Sequence, residues 1–158
     1  MKFLLLQEKS EKQRESGNAQ FYVGSYKQAQ ILYSSAIFTA PSDSLDLALA
    51  YANRSACFQK IGGREGLNLS LRDIQLALET SKYPEDKAFK LYERQGECYA
   101  VLGNADLAMK SYQMAMTMIT KNSQKLPKDK FKKFISGIKK KLENLQAENK
   151  SNGMVTKK

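Results

Sequence analysis

Residues 17–41, GNAQFYVGSYKQAQILYSSAIFTAP, contain the spacing pattern from which the fold of this chain can be predicted. Counted from Gly17, a second glycine follows at +7, alanine at +12 and +19, and tyrosine at +16. The stretch GECYAVLGNADLAMKSYQMA, residues 96–115, has the same residue types at the same offsets from Gly96. Self-similarity at fixed spacing is typical of a repeat architecture.

A third copy of the pattern lies between these two. Ser55 is followed by Gly62 at +7, and the next three members of the pattern then come three residues late, at Ser70, Ile74 and Ala77. We predict that the three extra residues lie in the glycine-rich turn from Gly62 to Gly66, because a longer turn costs little loop-closure entropy. The chain therefore holds three repeat units.

Each unit is predicted to be a pair of antiparallel helices. In the first unit, one helix runs from Glu11 to Val23 and the next from Tyr26 to Thr39, with a break at Gly24-Ser25 and an end at Pro41. The small residues let the helices approach closely, and the large residue at +16 fills the gap between them. No stretch alternates with the period of two that marks a strand, so we predict an all-α fold.

The predicted organisation is an α-solenoid in which three helix pairs stack on one another. The pairs cover about residues 10–43, 45–80 and 86–120, after an N-terminal extension of residues 1–9. A basic amphipathic helix of residues 126–147 is predicted to cap the last pair, because its apolar residues share one face. Residues 148–158 are polar and are predicted to be a disordered tail.

The composition excludes several function classes. The chain has 158 residues, two cysteines and no histidine, so it lacks histidine acid–base catalysts and the ligands of a structural zinc site. We expect no metal and no cofactor. The apolar run Phe3–Leu6 is too short for a signal peptide or a membrane span. The expected location is the cytoplasm, with the nucleus as an alternative, and no membrane partner is expected.

The net charge of +10 is a property of the C-terminal segment. Residues 121–158 contain 12 lysines and three acidic residues, whereas residues 1–120 contain 14 basic and 13 acidic residues. The lysine cluster Lys139–Lys141 is interpreted as the solvated face of the capping helix. A nuclear signal or a nucleic-acid patch is the less favoured reading, because no aromatic residue is interleaved for base stacking.

The spacing of small residues, Gly24, Ala29, Tyr33, Ala36 and Pro41 resembles the tetratricopeptide repeat (TPR). The resemblance covers about 110 of the 158 positions. It implies that the first helix of each pair lines a concave groove that binds peptides. The chain departs from the pattern in lacking tryptophan, in having Ser70 where alanine is usual, and in the three-residue insertion.

Five polar residues on the predicted inner helices suit an anion with two carboxylates. They are one basic residue and one Asn on the first helix, one Asn on the second, and two basic residues on the third: Arg14, Asn18, Asn53, Lys90 and Arg94. Cations offer charge-assisted hydrogen bonds, and an Asn amide donates without adding charge repulsion. The alternative is that they are ordinary solvated surface residues.

These five positions match the dicarboxylate clamp of TPR co-chaperones of Hsp70 and Hsp90. That resemblance implies a protein–protein interaction adaptor that binds the acidic C-terminal peptide of a chaperone, or another acidic C-terminal peptide. Arg14 stands where Lys is commoner, which keeps the charge and changes the geometry.

The segments Asn53–Cys57, Leu71–Leu78 and Lys90–Arg94, with Tyr83-Pro84, resemble the N-terminal TPR region of the SET and MYND domain-containing protein 4 family, especially its arthropod members. That family is thought to methylate protein lysines with S-adenosylmethionine. The cysteine-rich MYND cluster and the SET motifs are missing here, so this chain is predicted not to be an enzyme itself. The alternative function is a recruitment fragment of such a methyltransferase.

Overall fold

The computed structural model describes the backbone of residues 1–155 and the side chains of residues 1–152. The described residues form seven α-helices, with short 3₁₀ turns at Glu85–Lys87 and Ser123–Lys125. The helices are α1 (Lys2–Tyr22), α2 (Tyr26–Thr39), α3 (Leu45–Ile61), α4 (Gly63–Glu79), α5 (Ala88–Val101), α6 (Ala105–Lys121) and α7 (Lys128–Val155). No strand occurs between residues 1 and 155, so the all-α prediction is confirmed.

The chain divides into two compact units at Tyr83. The first unit, residues 1–83, contains the hairpins α1–α2 and α3–α4. The second unit, residues 84–158, contains the hairpin α5–α6 and helix α7. Each unit has a hydrophobic cluster of its own, around Tyr33 in the first and around Tyr112 in the second.

In the first hairpin and again in the third, the two helices are joined by a close contact between a glycine and a tyrosine. A Cβ atom placed on Gly17 would lie 2.6 Å from Cε1 of Tyr33, and one on Gly96 would lie 2.5 Å from Cε1 of Tyr112. Both tyrosine rings are buried. The predicted role of the small residue and of the large residue at +16 is therefore confirmed in these two hairpins.

The second hairpin closes differently from the prediction. A single residue, Gly62, separates α3 from α4, and the three extra residues lengthen the start of α4 instead of a turn. Gly62 and Gly63 have φ values of +76° and +70°, which reverse the chain in very little length. A Cβ on Gly66 would lie 2.9 Å from the carbonyl oxygen of Phe58, so the lack of a side chain there lets α4 pass close to α3.

Helix α1 begins at Lys2 instead of the predicted Glu11. Residues 2–9, predicted as an extension, form its first two turns. No proline or glycine precedes Gly17, so nothing interrupts the backbone hydrogen-bond ladder. The helix is anchored at Ser10, which is fully buried and donates a 3.0 Å hydrogen bond to the carbonyl oxygen of Ala36.

Helix α7 packs its apolar face on α5 and α6. Ile138 and Leu145 are buried in the cluster around Tyr112, and the ring of Phe134 lies 4.8 Å from that of Phe89 between centroids. The helix starts directly after Pro127, which cannot donate a backbone hydrogen bond.

The predicted tail is helical over most of its length. Residues 148–155 continue α7, and only residues 156–158 of the predicted tail lie outside the described residues. Once a helix is formed, each further residue adds a hydrogen bond at low entropic cost, and no proline or glycine occurs between Gly137 and Gly153. The prediction of disorder from residue 148 is wrong for this part. Within residues 1–155, no helix is both long enough and apolar enough to cross a bilayer.

Candidate functional site

The five predicted site residues lie on the first helix of each hairpin. Arg14 and Asn18 are one turn apart on α1, and Asn53 lies on α3, all in the first unit. Lys90 and Arg94 are one turn apart on α5, in the second unit. The two groups are described separately below.

The structure brings the two asparagines of the first unit together. Nδ2 of Asn53 donates a 2.9 Å hydrogen bond to Oδ1 of Asn18. The hydroxyl of Tyr33 donates a second hydrogen bond, of 2.7 Å, to the same oxygen. Two donors converge on one carbonyl oxygen, which sets the orientation of the Asn18 amide.

The ionisation of Tyr33 supports this arrangement. Burial, with a smaller contribution from Cys57, raises the pKa of Tyr33 to about 12. The hydroxyl therefore keeps its proton at neutral pH and acts as a donor. With its oxygen occupied, Asn18 is left with its NH₂ group, which makes no hydrogen bond among the described residues and lies on an exposed side chain. A free amide donor without charge is suited to a carboxylate oxygen.

Arg14 is paired with a carboxylate of the same unit. Its guanidinium donates a 3.4 Å hydrogen bond to Asp46, and the two side chains are only 15% and 8% exposed. Its Nε atom is buried and has no hydrogen-bond partner within the described side chains. Arg14 therefore shares its charge with an internal carboxylate, and a bound anion would compete with Asp46 for it.

Lys90 and Arg94 occupy successive turns of α5. Lys90 is exposed, and its Nζ lies 6.0 Å from the ring centroid of Phe89. No ion pair of Lys90 is present in the described part of the chain. Arg94 is half-buried. Helical spacing alone puts these two cations on one face.

Sequence reasoning missed several charged neighbours of the site. Asp46 pairs with Arg14 across 32 residues, and Lys141 of α7 binds Glu93 and Glu97 of α5 across more than 40 residues. The only local signal was the position of Asp46 in the first turn of α3, two residues after the N-cap Ser44. An acidic residue there is typical of a helix N-terminus and does not indicate a partner. No group of three or more metal-ligating side chains occurs within residues 1–152.

Solved structures share this arrangement of helices. The first TPR domain of Spaghetti (RPAP3), bound to the Hsp90 peptide SRMEEVD, has a TM-score of 0.66 over 89% of this chain and 93% of that domain. The type III secretion translocator chaperone SycD of Yersinia enterocolitica has a TM-score of 0.71 over 89% of this chain and 85% of that protein. The TPR domain of Arabidopsis OM64 has a TM-score of 0.64 over 85% and 98%.

The chain has the tetratricopeptide-repeat fold. Sequence identity to these structures is 17%, 15% and 23%, so they show the fold alone. The prediction of a TPR domain is confirmed. These neighbours are TPR domains and a secretion chaperone.

Curated relatives match this chain over part of their own length. Protein-lysine N-methyltransferase SMYD4 of Pongo abelii is 38% identical over 90 residues, which are 57% of this chain and 11% of the relative. Hsp70-Hsp90 organizing protein 3 of Arabidopsis thaliana is 31% identical over 137 residues, 86% of this chain and 21% of the relative. DnaJ homolog subfamily C member 7 of Mus musculus is 31% identical over 112 residues, which are 70% of this chain and 20% of the relative.

This TPR chain therefore spans between 11% and 21% of the length of the curated relatives it matches. No model of a protein family matches the chain. The similarity to SMYD4 agrees with the resemblance stated from the sequence.

Proposed function

We propose that this TPR chain is an adaptor that binds the acidic C-terminal peptide of an Hsp70- or Hsp90-type chaperone. The observation that carries the proposal is the Asn18–Asn53 pair, whose geometry leaves the Asn18 NH₂ group as a free donor. Two further features support it: the cations Lys90 and Arg94 on α5, and the fold shared with a TPR domain solved with an Hsp90 peptide.

The proposed contacts divide by chemistry. Lys90 and Arg94 would bind carboxylates through charge-assisted hydrogen bonds, each with a net contribution of about 1.5–3 kcal/mol. Asn18 and Asn53 would donate to the carboxylate oxygens without repelling the cations. Arg14 would contribute only as far as the ligand displaces Asp46.

Calorimetry with a peptide that ends in Glu-Glu-Val-Asp tests the proposal. We expect binding that weakens with salt, because Coulomb attraction is screened, and a large loss when the C-terminal carboxylate is replaced by an amide. The double variant Lys90→Ala with Arg94→Ala should bind at least about tenfold more weakly, a loss of one charge-assisted contact or more. Equal binding of the acid and the amide would contradict the proposal.

Matched controls separate a local effect from a general loss of charge. Lys87→Ala removes an exposed cation that lies one turn before Lys90, and it should leave affinity within about twofold. For the first unit, Asn18→Ala should weaken peptide binding. Asn149→Ala, at an exposed position of α7, should leave peptide binding unchanged.

A second candidate function follows from the match to SMYD4, which is 38% identical over 90 residues. We propose as the alternative that this TPR segment recruits partners for a SET/MYND-type protein-lysine methyltransferase. Sequencing of the transcript beyond the codon for Lys158 tests it. A downstream cysteine-rich reading frame would support the alternative, and a stop codon would contradict it. The expected cytoplasmic location is tested by imaging a fluorescent fusion.

A further inference from the structure

Two glutamates of α5 occupy the positions that hold predicted peptide-binding residues in the first hairpin. Relative to Gly17, Arg14 stands at −3 and Asn18 at +1. Relative to Gly96, the same offsets fall on Glu93 and Glu97. The first hairpin therefore offers a cation and an amide where the third hairpin offers two carboxylates, which by themselves would repel an acidic ligand.

The carboxylates of α5 are held by a cation from another helix. The ammonium of Lys141, on α7, donates hydrogen bonds to Oε1 of Glu93 and to Oε1 of Glu97. The Lys141 side chain is 32% exposed, and its Nζ lies 5.9 Å from the ring centroid of Tyr112. Burial lowers the pKa of Lys141, but the hydrogen bonds and charges of the two glutamates raise it above its ordinary value, so the ammonium stays charged.

These carboxylates lie within one turn of the proposed peptide-binding cations. Glu93 follows Lys90 by three residues, and Glu97 follows Arg94 by three. Residues three apart on a helix have Cβ atoms about 5–6 Å apart. Without Lys141, two negative charges would stand beside two positive ones, and the net attraction of this face for a carboxylate would largely vanish.

We propose that Lys141 is a positioning residue for the peptide site: it binds Glu93 and Glu97 and thereby keeps the α5 face attractive to an acidic C-terminus. Through this contact α7 takes part in ligand binding and is more than a cover for the last hairpin. The inference rests on the proposed function and adds to it a residue that no local sequence pattern indicates.

The test compares peptide affinities of the full chain and its variants by calorimetry at two salt concentrations. Lys141→Gln should weaken binding of the Glu-Glu-Val-Asp peptide about tenfold at low salt, as expected for a unit charge acting over about 10 Å near a surface. Lys141→Arg should keep wild-type affinity. The matched control Lys140→Gln removes the same charge from the neighbouring exposed position and should change affinity less than about twofold.

A charge-balanced variant separates electrostatics from folding. In the triple variant Glu93→Gln, Glu97→Gln and Lys141→Gln, the repelling carboxylates are gone together with the lysine, so affinity should return to the wild-type value or exceed it. Circular dichroism checks that each variant keeps its helices.

Two outcomes would overturn the inference while leaving the proposed function intact. The first is an equal loss of peptide affinity in Lys141→Gln and Lys140→Gln. The second is a triple variant that is folded but binds the peptide as weakly as Lys141→Gln does. In contrast, a wild-type chain that does not distinguish the free acid from the amide would overturn the proposed function and this inference together.

Discussion

The ring of Tyr112 occupies the space that a side chain at position 96 would need. A Cβ on Gly96 would lie 2.5 Å from Cε1 of that ring, well inside van der Waals contact. The ring is buried between α5 and α6, so it has no free space into which it could move. The approach of these two helices therefore depends on the absence of one methyl group.

The first prediction concerns this contact. Gly96→Ala should lower the free energy of unfolding by about 1–3 kcal/mol, the usual cost of overpacking a core. The control is Gly137→Ala on α7, where a Cβ would meet no atom within 4 Å. There the same substitution should raise stability by about 0.5–1 kcal/mol, because alanine favours the helix. Urea denaturation followed by circular dichroism measures both, and changes of the same sign would contradict the argument.

The second prediction concerns the ion pair between α3 and α4. Arg54 donates through Nε and a terminal nitrogen to both oxygens of Asp73, at 2.7 and 2.8 Å, and Asp73 is 2% exposed. Asp73→Ala should cost about 2–4 kcal/mol of stability, because it leaves a largely buried cation without its partner. Glu85→Ala, which removes an exposed pair with Lys121, should cost less than about 1 kcal/mol.

The double variant Arg54→Met with Asp73→Leu completes that experiment. Apolar residues of similar size remove both charges, so most of the stability lost in Asp73→Ala should return. A double variant as unstable as Asp73→Ala would mean that the hydrogen-bond geometry, and not the unpaired charge, causes the loss.

The third prediction concerns alkaline pH. Burial raises the pKa of both Tyr33 and Tyr112 to about 12, above the value near 10 of an unfolded chain. The folded protein therefore holds these protons while the unfolded chain releases them, so the stability they contribute is complete below pH 10 and is lost between about pH 10 and 12. Urea midpoints measured across this range should fall as the pH rises.

Variants assign that pH dependence to the buried tyrosines. The slope of stability against pH should be smaller in Tyr33→Phe and Tyr112→Phe than in the wild type. Tyr22→Phe, at a position 91% exposed, is the control and should leave the slope unchanged. Equal slopes in all four proteins would contradict the assignment.

The fourth prediction concerns the competition for Arg14. Asp46→Asn removes the negative charge that pairs with Arg14, so the affinity for the acidic peptide should rise about two- to fivefold. Asp106→Asn is the matched control, because Asp106 is also the second residue of its helix and is exposed. Calorimetry on both variants separates the pairing with Arg14 from a general loss of acidic charge, and equal gains would contradict the competition.

The parts of the molecule that local spacing governs were predictable. The offsets between Gly17 and Tyr33, and between Gly96 and Tyr112, indicate helical hairpins because in both hairpins a residue without a side chain lies against a large ring. The second hairpin was predicted less well. Gly62 and Gly63 both have positive φ, so the chain reverses with only Gly62 between the two helices. The residue spacing does not show whether three extra residues lengthen the turn or the helix.

The linear pattern of residues is enough to predict the repeat, the all-α fold, the helices that carry Arg14, Asn18, Asn53, Lys90 and Arg94, and the location of the charge near the C-terminus. The repeat and its helices follow from residue spacing over a few turns, and the location of the charge follows from counting basic and acidic residues. The tertiary structure alone decided which of these groups are already engaged: Asp46 pairs with Arg14, Tyr33 orients Asn18, and Lys141 binds Glu93 and Glu97. Those contacts join residues 15 to 48 positions apart on different helices, so they depend on how the helices pack and leave no periodic signal in the chain.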